Sequence, residues 1–256
     1  DEIFLPYETG PYALALIIAA TANHIKTIGI QHGLIWKNNS DYSHTKFKTP
    51  ENLFGMPLPD MTLIFGKFTK EILMESKYPE NKFLVFGNPE FFQIDKIIKN
   101  FNHDETRLQY NISKNKKILL FTTGKSQSFY KDLGGKLNYD EQVLEKLLDK
   151  YNNNDFFHVI VKPHPDENIE VYEKIIKKFN SNNFTIIQDD LFQLILISDV
   201  IISIFSTVLM DSISLGKMTI RVKFPENTIP IPYDDYNVLF SSDLPSLSNS
   251  IKKIFT

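Results

Sequence analysis

The chain has 256 residues, of which 42% are hydrophobic, and its formal net charge is −3 at pH 7. These values are typical of a globular protein with a core, and they argue against disorder and against a nucleic-acid-binding protein, which usually carries a concentrated basic face. The sequence has no cysteine, which excludes disulfides and thiolate metal sites, and its longest apolar stretch is shorter than the roughly 18 residues of a transmembrane helix.

Short β-rich runs alternate with helical stretches along nearly the whole chain, and this pattern predicts an α/β fold with parallel sheets and crossover helices. The first part has predicted strands at residues 3–5, 27–30, 62–65 and 83–86, with helices near 12–23 and 67–76. Residues 100–117 are rich in Asn and charge, and we interpret them as a linker. The alternation then restarts, with strands at 117–121, 158–161, 184–187, 200–204 and 218–222 and helices near 140–151, 168–179, 190–197, 207–215 and 245–255.

Two successive runs of this kind predict two Rossmann-like domains that face each other across a cleft, one over residues 1–105 and the other over residues 106–256. The first run has only four predicted strands, fewer than a doubly wound domain usually has, so we expect the amino-terminal domain to be incomplete. In open α/β sheets, ligands bind beyond the carboxyl ends of the strands. Residues at those ends are therefore the first candidates for function.

A cation and an imidazole follow one predicted strand of the second run. They are Lys162 and His164, and Pro163 and Pro165 restrict the backbone around them. The lysine adds positive charge, and the imidazole can donate a hydrogen bond to a phosphate oxygen or to a leaving group. The alternative interpretation is a loop histidine whose hydrogen bond goes to a nearby carbonyl.

Two hydroxyl residues, Ser206 and Thr207, stand where the apolar run Val200–Ile204 turns into a predicted helix. Free N–H groups, the helix dipole and the two hydroxyls suit a phosphate or a diphosphate there. Plain helix capping by a hydroxyl residue explains the same pattern. Thr123 and Gly124 end the first strand of this run and are expected to line the same edge through backbone amides, although a Walker A loop would need an earlier glycine.

The first run contributes two candidates. Glu8 follows the first strand, where a carboxylate can act as a general base toward an acceptor hydroxyl or can simply complement a helix dipole. His32 follows the second strand and can act as a base or bind an acceptor, and a turn with a partly buried histidine is the alternative. Residues 37–57 have the polar and aromatic side chains of an acceptor-binding lid. We interpret the pair Asp189-Asp190 as a helix N-cap and predict no metal site.

Read in chain order, these motifs resemble those of the GT-B superfamily of nucleotide-sugar glycosyltransferases, and more narrowly the enzymes of bacterial and archaeal surface polysaccharides. The motifs are Gln31-His32-Gly33, Pro59-Asp60 with Gly66, Gly87-Asn88-Pro89, Lys162-Pro163-His164-Pro165, Ser198-Asp199-Val200, Phe205-Ser206-Thr207 with Asp211, and Gly216-Lys217. A histidine-proline motif with a later hydroxyl pair is similar to that of sialyltransferases, polysialyltransferases and Kdo transferases, which use CMP-sugars. CDP-glycerol glycerophosphotransferases of wall teichoic acid synthesis look similar in the same region.

The resemblance implies a metal-independent transferase without a cofactor, which moves a sugar or a polyol phosphate from a CMP- or CDP-linked donor to a hydroxyl of a glycan or lipid-linked acceptor. It implies that His164 contacts the donor phosphate and that Ser206 and Thr207 bind it. Glu8 matches the acidic base motif of such sialyltransferases only in part. We expect a cytoplasmic protein, with peripheral association at the inner face of the membrane as one option.

Two other functions stay open at this point. UDP-GlcNAc 2-epimerases are expected to have the same architecture, but the glutamate and arginine of their His-x-Glu-Ala-Gly-x-Arg segment are absent after His32. The second alternative is a module that binds a nucleotide sugar without turning it over.

Overall fold

The computed structural model describes residues 1–37, 39–42, 55–124, 138–225 and 238–256. Contacts between residues divide the chain into two compact units, of which the first comprises chiefly Asp1–Lys96 and the second begins at Ile97. Each unit contains one parallel β-sheet, with helices between most of the successive strands. The predicted α/β class with two Rossmann-like units is therefore confirmed.

The first unit has a short parallel sheet. Its elements are β1 (Glu2–Leu5), α1 (Pro11–Ala22), β2 (Lys26–Ile30), β3 (Met61–Ile64), α2 (Lys67–Glu75) and β4 (Phe83–Val85), with 3-10 helices at Ser40–Tyr42, Glu80–Lys82 and Pro89–Gln93. The strand order is β1-β2-β3-β4, and all neighbouring pairs are parallel. The strands and helices predicted for this part are confirmed, with small shifts of their ends.

A glycine in β2 allows the turn after β1 to pack directly on the sheet. A Cβ at Gly29 would lie 2.9 Å from the Cβ of Glu8, closer than real Cβ atoms approach their neighbours. At the other end of β2, the carboxylate of Asp60 accepts hydrogen bonds from N and Oγ1 of Thr27 at 2.8 and 3.1 Å. Asp60 therefore joins the amino ends of β2 and β3, while Gly29 brings Glu8 close to the carboxyl end of β2.

The second unit is larger. Its elements follow α3 (Ile94–Asn100) and are α4 (His103–Gln109), β5 (Lys117–Thr122), α5 (Tyr139–Tyr151), β6 (Phe157–Lys162), α6 (Ile169–Lys178), β7 (Phe184–Ile186), α7 (Leu191–Ile197), β8 (Val200–Ser203), α8 (Val208–Ser214), β9 (Met218–Lys223), β10 (Phe240–Asp243) and α9 (Leu247–Phe255). The strand order is β10-β9-β8-β5-β6-β7, and all pairs are parallel. This is the order of a doubly wound dinucleotide-binding sheet, whose direction of winding changes between β5 and β8.

Helices on both sides of this sheet explain why its central strands are apolar throughout. In β5, Leu119 and Phe121 pack into one core cluster, whereas Ile118 and Leu120 pack into the other. All four of these side chains are fully buried. Strands covered on both faces form continuous apolar runs rather than alternating ones, and this is the pattern from which the second run was predicted.

The structure corrects the interpretation of residues 100–117 as a linker. The segment contains α4, which begins after Asn102 because the side chain of Asn102 accepts hydrogen bonds from two backbone N–H groups of the first turn. Arg107 of this helix is buried and donates to the carbonyl oxygens of Ser113 and Lys116, at 3.0 Å each. A buried arginine held by backbone carbonyls leaves no apolar periodicity, so the sequence pattern missed this packed element. The predicted domain boundary between residues 105 and 106 falls inside α4.

One strand was not predicted at all. β10 pairs with β9 at the edge of the sheet, with Phe240 opposite Ile220. Its sequence, Phe-Ser-Ser-Asp, has a single apolar residue, so neither alternation nor an apolar run indicates a strand. Among the described residues, no helix is both long and apolar enough to cross a membrane.

Candidate functional site

Three of the predicted motifs lie beyond the carboxyl ends of adjacent strands. In the sheet register, Thr122 at the end of β5 is opposite Lys162 of β6 on one side and opposite Ser203 of β8 on the other. The residues that follow these strands are therefore neighbours at one edge of the sheet. This edge includes the point between β5 and β8 where ligands bind in doubly wound folds.

Gly124 allows the loops after β5 and β8 to touch. A Cβ at this position would overlap the carbonyl oxygen of Phe205, the residue before the hydroxyl pair. The preceding residue, Thr123, is buried, and its N–H donates to the carbonyl oxygen of Lys162 at 3.2 Å. The backbone amide of Thr123 is therefore used within the protein, and its predicted role as a ligand-facing amide is not supported by this geometry.

His164 is held in a tight turn after β6. The N–H of Glu167 donates to the carbonyl oxygen of His164 at 2.9 Å. In return, the N–H of His164 is shared between Oγ1 of Thr123 at 2.9 Å and Oε2 of Glu167 at 3.1 Å. The backbone of His164 is thus bound to the end of the neighbouring strand as well as to its own turn.

The imidazole of His164 has one nitrogen committed and one available. Its Nδ1 accepts a hydrogen bond from the N–H of Asp166 at 3.2 Å, so the neutral ring carries its proton on Nε2. The carboxylate of Asp166 lies 3.9 Å from Nδ1, on the side of the ring away from Nε2. The side chain is 41% exposed, so Nε2–H is suited to donate to a ligand rather than to a protein carbonyl. The alternative of a loop histidine bound to a carbonyl is therefore disfavoured for the ring.

Glu167 is a site residue that the sequence analysis missed. Its carboxylate accepts a hydrogen bond from the hydroxyl of Thr123 and another from the Tyr172 hydroxyl, the latter at 3.0 Å. Burial, together with the charges of Asp140 and Glu167, raises the pKa of Tyr172, which keeps this phenol a donor. The available signal was a carboxylate three residues after His164, at the position that closes the turn.

Lys162 is half-buried at the end of β6. Burial lowers its pKa from the ordinary value, and the negative charges of Asp190 and Asp189 oppose this effect. Asp190 caps α7, because its carboxylate accepts from the N–H of Gln193 at 2.9 Å, which confirms the predicted N-cap. The carboxylate of Asp189 instead accepts from the hydroxyl of Tyr110 at 2.9 Å.

The two hydroxyl residues before α8 differ in their contacts. Oγ of Ser206 accepts a hydrogen bond from the N–H of Val208 at 3.2 Å, so the capping interpretation applies to this residue. Thr207 makes no side-chain cap hydrogen bond and is exposed. Of the two predicted hydroxyls, that of Thr207 is therefore the one suited to a ligand.

In the first unit, the turn after β2 presents His32. Gln31 holds this turn, because its Nε2 donates to the carbonyl oxygen of Gly33 at 2.7 Å and its Oε1 accepts from the N–H of Phe65 at 2.8 Å. Gly33 has a φ of 80°, a conformation that favours glycine. His32 is exposed, and its ring packs on Tyr7 with 4.7 Å between the centroids.

Glu8, next to Tyr7, is only 2% exposed. Its Oε1 accepts from the hydroxyl of Tyr42 at 2.5 Å, and its Oε2 has no hydrogen-bond partner among the described residues. Burial raises the pKa of Glu8 to about 7, although the hydrogen bond from Tyr42 opposes the rise. Tyr42 belongs to the predicted lid over residues 37–57, most of which lies outside the described residues.

Other motifs of the resemblance lie at the amino ends of the strands and join structural elements. Asp199 accepts from the N–H of Ile118 at 2.8 Å and from Nζ of Lys117 at 3.0 Å, which ties β8 to β5. Lys217 donates to the carbonyl oxygens of Leu196 and Ser198 at the end of α7. The motifs therefore separate into a group that faces the ligand edge and a group that stabilises the opposite edge.

Within the described ranges, no group of three or more His, Asp or Glu side chains is arranged to hold a metal ion. Metal independence remains a prediction of the sequence, as does the absence of a cofactor.

Comparison with solved structures supports the fold. S. aureus MnaA bound to UDP has 14% identity and a TM-score of 0.64, and the match covers 99% of this chain and 66% of that one. The UDP-GlcNAc 2-epimerase of Neisseria meningitidis bound to UDP-GlcNAc has 16% identity and a TM-score of 0.63, with coverages of 99% and 67%. The wall teichoic acid polymerase TagF with CDPG has 16% identity and a TM-score of 0.55, with coverages of 98% and 62%. The chain thus spans about two thirds of the length of these proteins.

Sequence comparison identifies the family. No curated protein sequence matches the chain significantly. The family model described as alpha-2,8-polysialyltransferase (POLYST) matches residues 11–219, which is most of the chain and includes the motifs after β2, β6 and β8. The chain therefore belongs to the alpha-2,8-polysialyltransferase family.

Proposed function

We propose that the chain is a metal-independent GT-B glycosyltransferase that moves a sugar, or a polyol phosphate, from a CMP- or CDP-linked donor to a glycan hydroxyl in surface polysaccharide synthesis. The observation that carries the proposal is the set of loops after β5, β6 and β8, which brings Lys162, His164 and Thr207 to one edge of a sheet with dinucleotide-binding topology. Family membership supports the same class of reaction.

In this proposal the second unit binds the donor phosphate. Nε2–H of His164 donates to an oxygen of the phosphate, and the charge on that oxygen increases as the bond to the sugar breaks. Lys162 adds positive charge, and the hydroxyl of Thr207 adds a donor. Preorganised donors aimed at a developing negative charge lower the barrier without any reorganisation during the reaction. Ser206 contributes by holding the first turn of α8 in place.

The first unit supplies the base and the acceptor surface. A pKa of about 7 suits a carboxylate that must take a proton from a hydroxyl near neutral pH, and Oε2 of Glu8 is the oxygen without a hydrogen-bond partner in the described part of the chain. His32 is exposed beside Tyr7, and it contacts the acceptor in this proposal. The acceptor is a glycan or a lipid-linked glycan, and the enzyme acts in the cytoplasm at the inner face of the membrane.

The donor nucleotide is tested by thermal unfolding with CMP, CDP, UDP, GDP and ADP, because a specific ligand raises the midpoint by mass action. At a concentration 100 times its Kd, a ligand contributes about 2.7 kcal/mol, which corresponds to a rise of several degrees for a chain of this size. Selective stabilisation by CMP or CDP supports the proposal. Selective stabilisation by UDP supports the epimerase alternative, since the Neisseria meningitidis epimerase in the comparison is bound to UDP-GlcNAc.

The role of His164 is tested by His164→Ala in a transfer assay with a CMP- or CDP-linked donor. Loss of a positioned proton donor is expected to reduce kcat by about 100-fold or more. The control is His24→Asn, since His24 lies in a turn with a φ of 56° that Asn tolerates. Equal turnover by wild type and His164→Ala would contradict the assigned role. Nucleotide binding without any transfer would identify a binding module instead.

A further inference from the structure

The carboxylate of Glu167 is the centre of a hydrogen-bond network at the proposed donor site. The residue precedes Asn168, the N-cap of α6, and its side chain is bound to Tyr172 of this helix and to two residues outside it, Thr123 and His164. Three donors share its two oxygens: the hydroxyls of Thr123 and Tyr172, and the N–H of His164. Hydrogen bonds to an ionised acceptor are roughly twice as strong as those between neutral groups.

This network fixes the backbone on which the His164 imidazole is mounted. Thr123 lies just beyond β5, whereas His164 follows β6, so the carboxylate of Glu167 joins the ends of two neighbouring strands. The hydroxyl of Thr123 both accepts from the N–H of His164 and donates to Glu167. Because the same turn delivers the N–H of Asp166 to Nδ1 of the ring, the geometry of the turn also selects the ring tautomer.

We propose that Glu167 is a positioning residue, whose carboxylate holds the His164 turn against Thr123 so that Nε2–H faces the donor phosphate. Its effect on catalysis rests on the function proposed above. A displacement of a reacting group by about 1 Å can reduce turnover by about 100-fold, and a loosened turn permits displacements of that size. The competing interpretation is that Glu167 only stabilises the packing of α6 against β5.

A double-mutant cycle separates these two interpretations. Glu167→Gln keeps the size of the side chain, but its amide NH₂ group faces a hydrogen-bond donor. The glutamine therefore cannot accept from all three donors. We expect Glu167→Gln to reduce kcat by about 10-fold to 100-fold with little change in the KM for the donor. In the His164→Ala background the same substitution is expected to have no further effect, because a residue that acts through another is not additive with it.

Two further variants serve as the second line of evidence and the control. Thr123→Val removes the hydroxyl without changing the shape of the side chain, and we expect it to reduce kcat to a similar extent as Glu167→Gln. It therefore tests the proposal even if Glu167→Gln folds poorly. Glu170→Gln, in the first turn of α6, removes an exposed carboxylate that pairs with Lys174 at 3.6 Å, and its kcat is expected to equal that of wild type. If Glu167→Gln reduced kcat by the same factor in the wild-type and His164→Ala backgrounds, the proposal would be overturned.

A spectroscopic measurement makes the outcome independent of turnover. Nitrogen-15 NMR of the histidine rings, with His164 assigned by its loss in His164→Ala, reports the tautomer directly. We expect the Nε2–H tautomer in wild type and a mixture of tautomers in Glu167→Gln and Thr123→Val. If wild type transfers nothing from CMP- or CDP-linked donors, the proposed function fails, and the tautomer alone tests the positioning role. An unchanged tautomer in both folded variants would then refute it.

Discussion

Burial of the Glu8 carboxyl predicts a specific dependence of stability on pH. Folding raises its pKa from an ordinary value of 4.5 to about 7, because the carboxyl is removed from water. The folded state therefore holds a proton that the unfolded state releases between these two values. Stability from this group is fully present below pH 4.5 and is lost as the pH rises through about 7. One pH unit is worth about 1.4 kcal/mol, so the expected loss is about 3 kcal/mol.

Glu8→Gln replaces the protonated carboxyl by a neutral group of similar shape, so the variant is expected not to show this loss. The assay is urea unfolding between pH 4 and pH 8, followed by the fluorescence of Trp36, the single tryptophan of the chain, which lies in the first unit. The difference in the free energy of unfolding between variant and wild type is expected to increase by about 3 kcal/mol across this range.

The matched control is Glu75→Gln, which changes an exposed carboxyl that pairs with Lys37 at 3.1 Å. Its stability is expected to follow the wild-type curve at every pH. Parallel curves for wild type and Glu8→Gln would refute the reasoning, because they would mean that Glu8 titrates alike in the folded and unfolded states.

Two other substitutions test the second unit. Burial lowers the pKa of His158 from 6.5 to about 4. The free energy of unfolding is therefore expected to fall by about 3 kcal/mol as the pH drops from 6.5 to 4. In urea unfolding, His158→Gln is expected to show a weaker dependence of this free energy on pH. Gly124→Ala is expected to cost about 1–3 kcal/mol, because the added Cβ meets the carbonyl oxygen of Phe205. In thermal unfolding, Gly66→Ala is its control, since a Cβ at Gly66 would have no neighbour within 4 Å in the described ranges. Equal midpoints for the two alanine variants would contradict the predicted clash.

Most of the fold could be predicted because its strands and helices have strong local patterns. The apolar runs of β5, β6 and β8 indicate strands covered on both sides, and the helices between them require parallel pairing. The exceptions have physical reasons. α4 is anchored by hydrogen bonds of Arg107 to carbonyl oxygens, and β10 is a polar edge strand that depends on β9 for its pairing. Neither leaves an apolar pattern in the sequence.

The candidate site, too, could be predicted from the sequence only in part. Lys162, His164 and the hydroxyl pair could be placed at one sheet edge from the sequence, because strand ends in a parallel sheet share an edge. The contacts within the site required the three-dimensional structure. Oγ of Ser206 accepts from the N–H of Val208, Thr207 makes no side-chain cap hydrogen bond, and the hydroxyl of Thr123 donates to Glu167. Such contacts join residues from different loops.

The order of residues along the chain was therefore enough to predict an α/β protein whose candidate residues share one sheet edge, since periodicity and strand ends are properties of neighbouring residues. The partners of Glu8 and Glu167 were decided by the tertiary structure. Tyr42 reaches Glu8 across 34 positions of the chain, and Thr123 reaches Glu167 across 44. Contacts over such separations depend on how the strands are ordered and on which side chains are excluded from water, and no spacing in the sequence encodes either property.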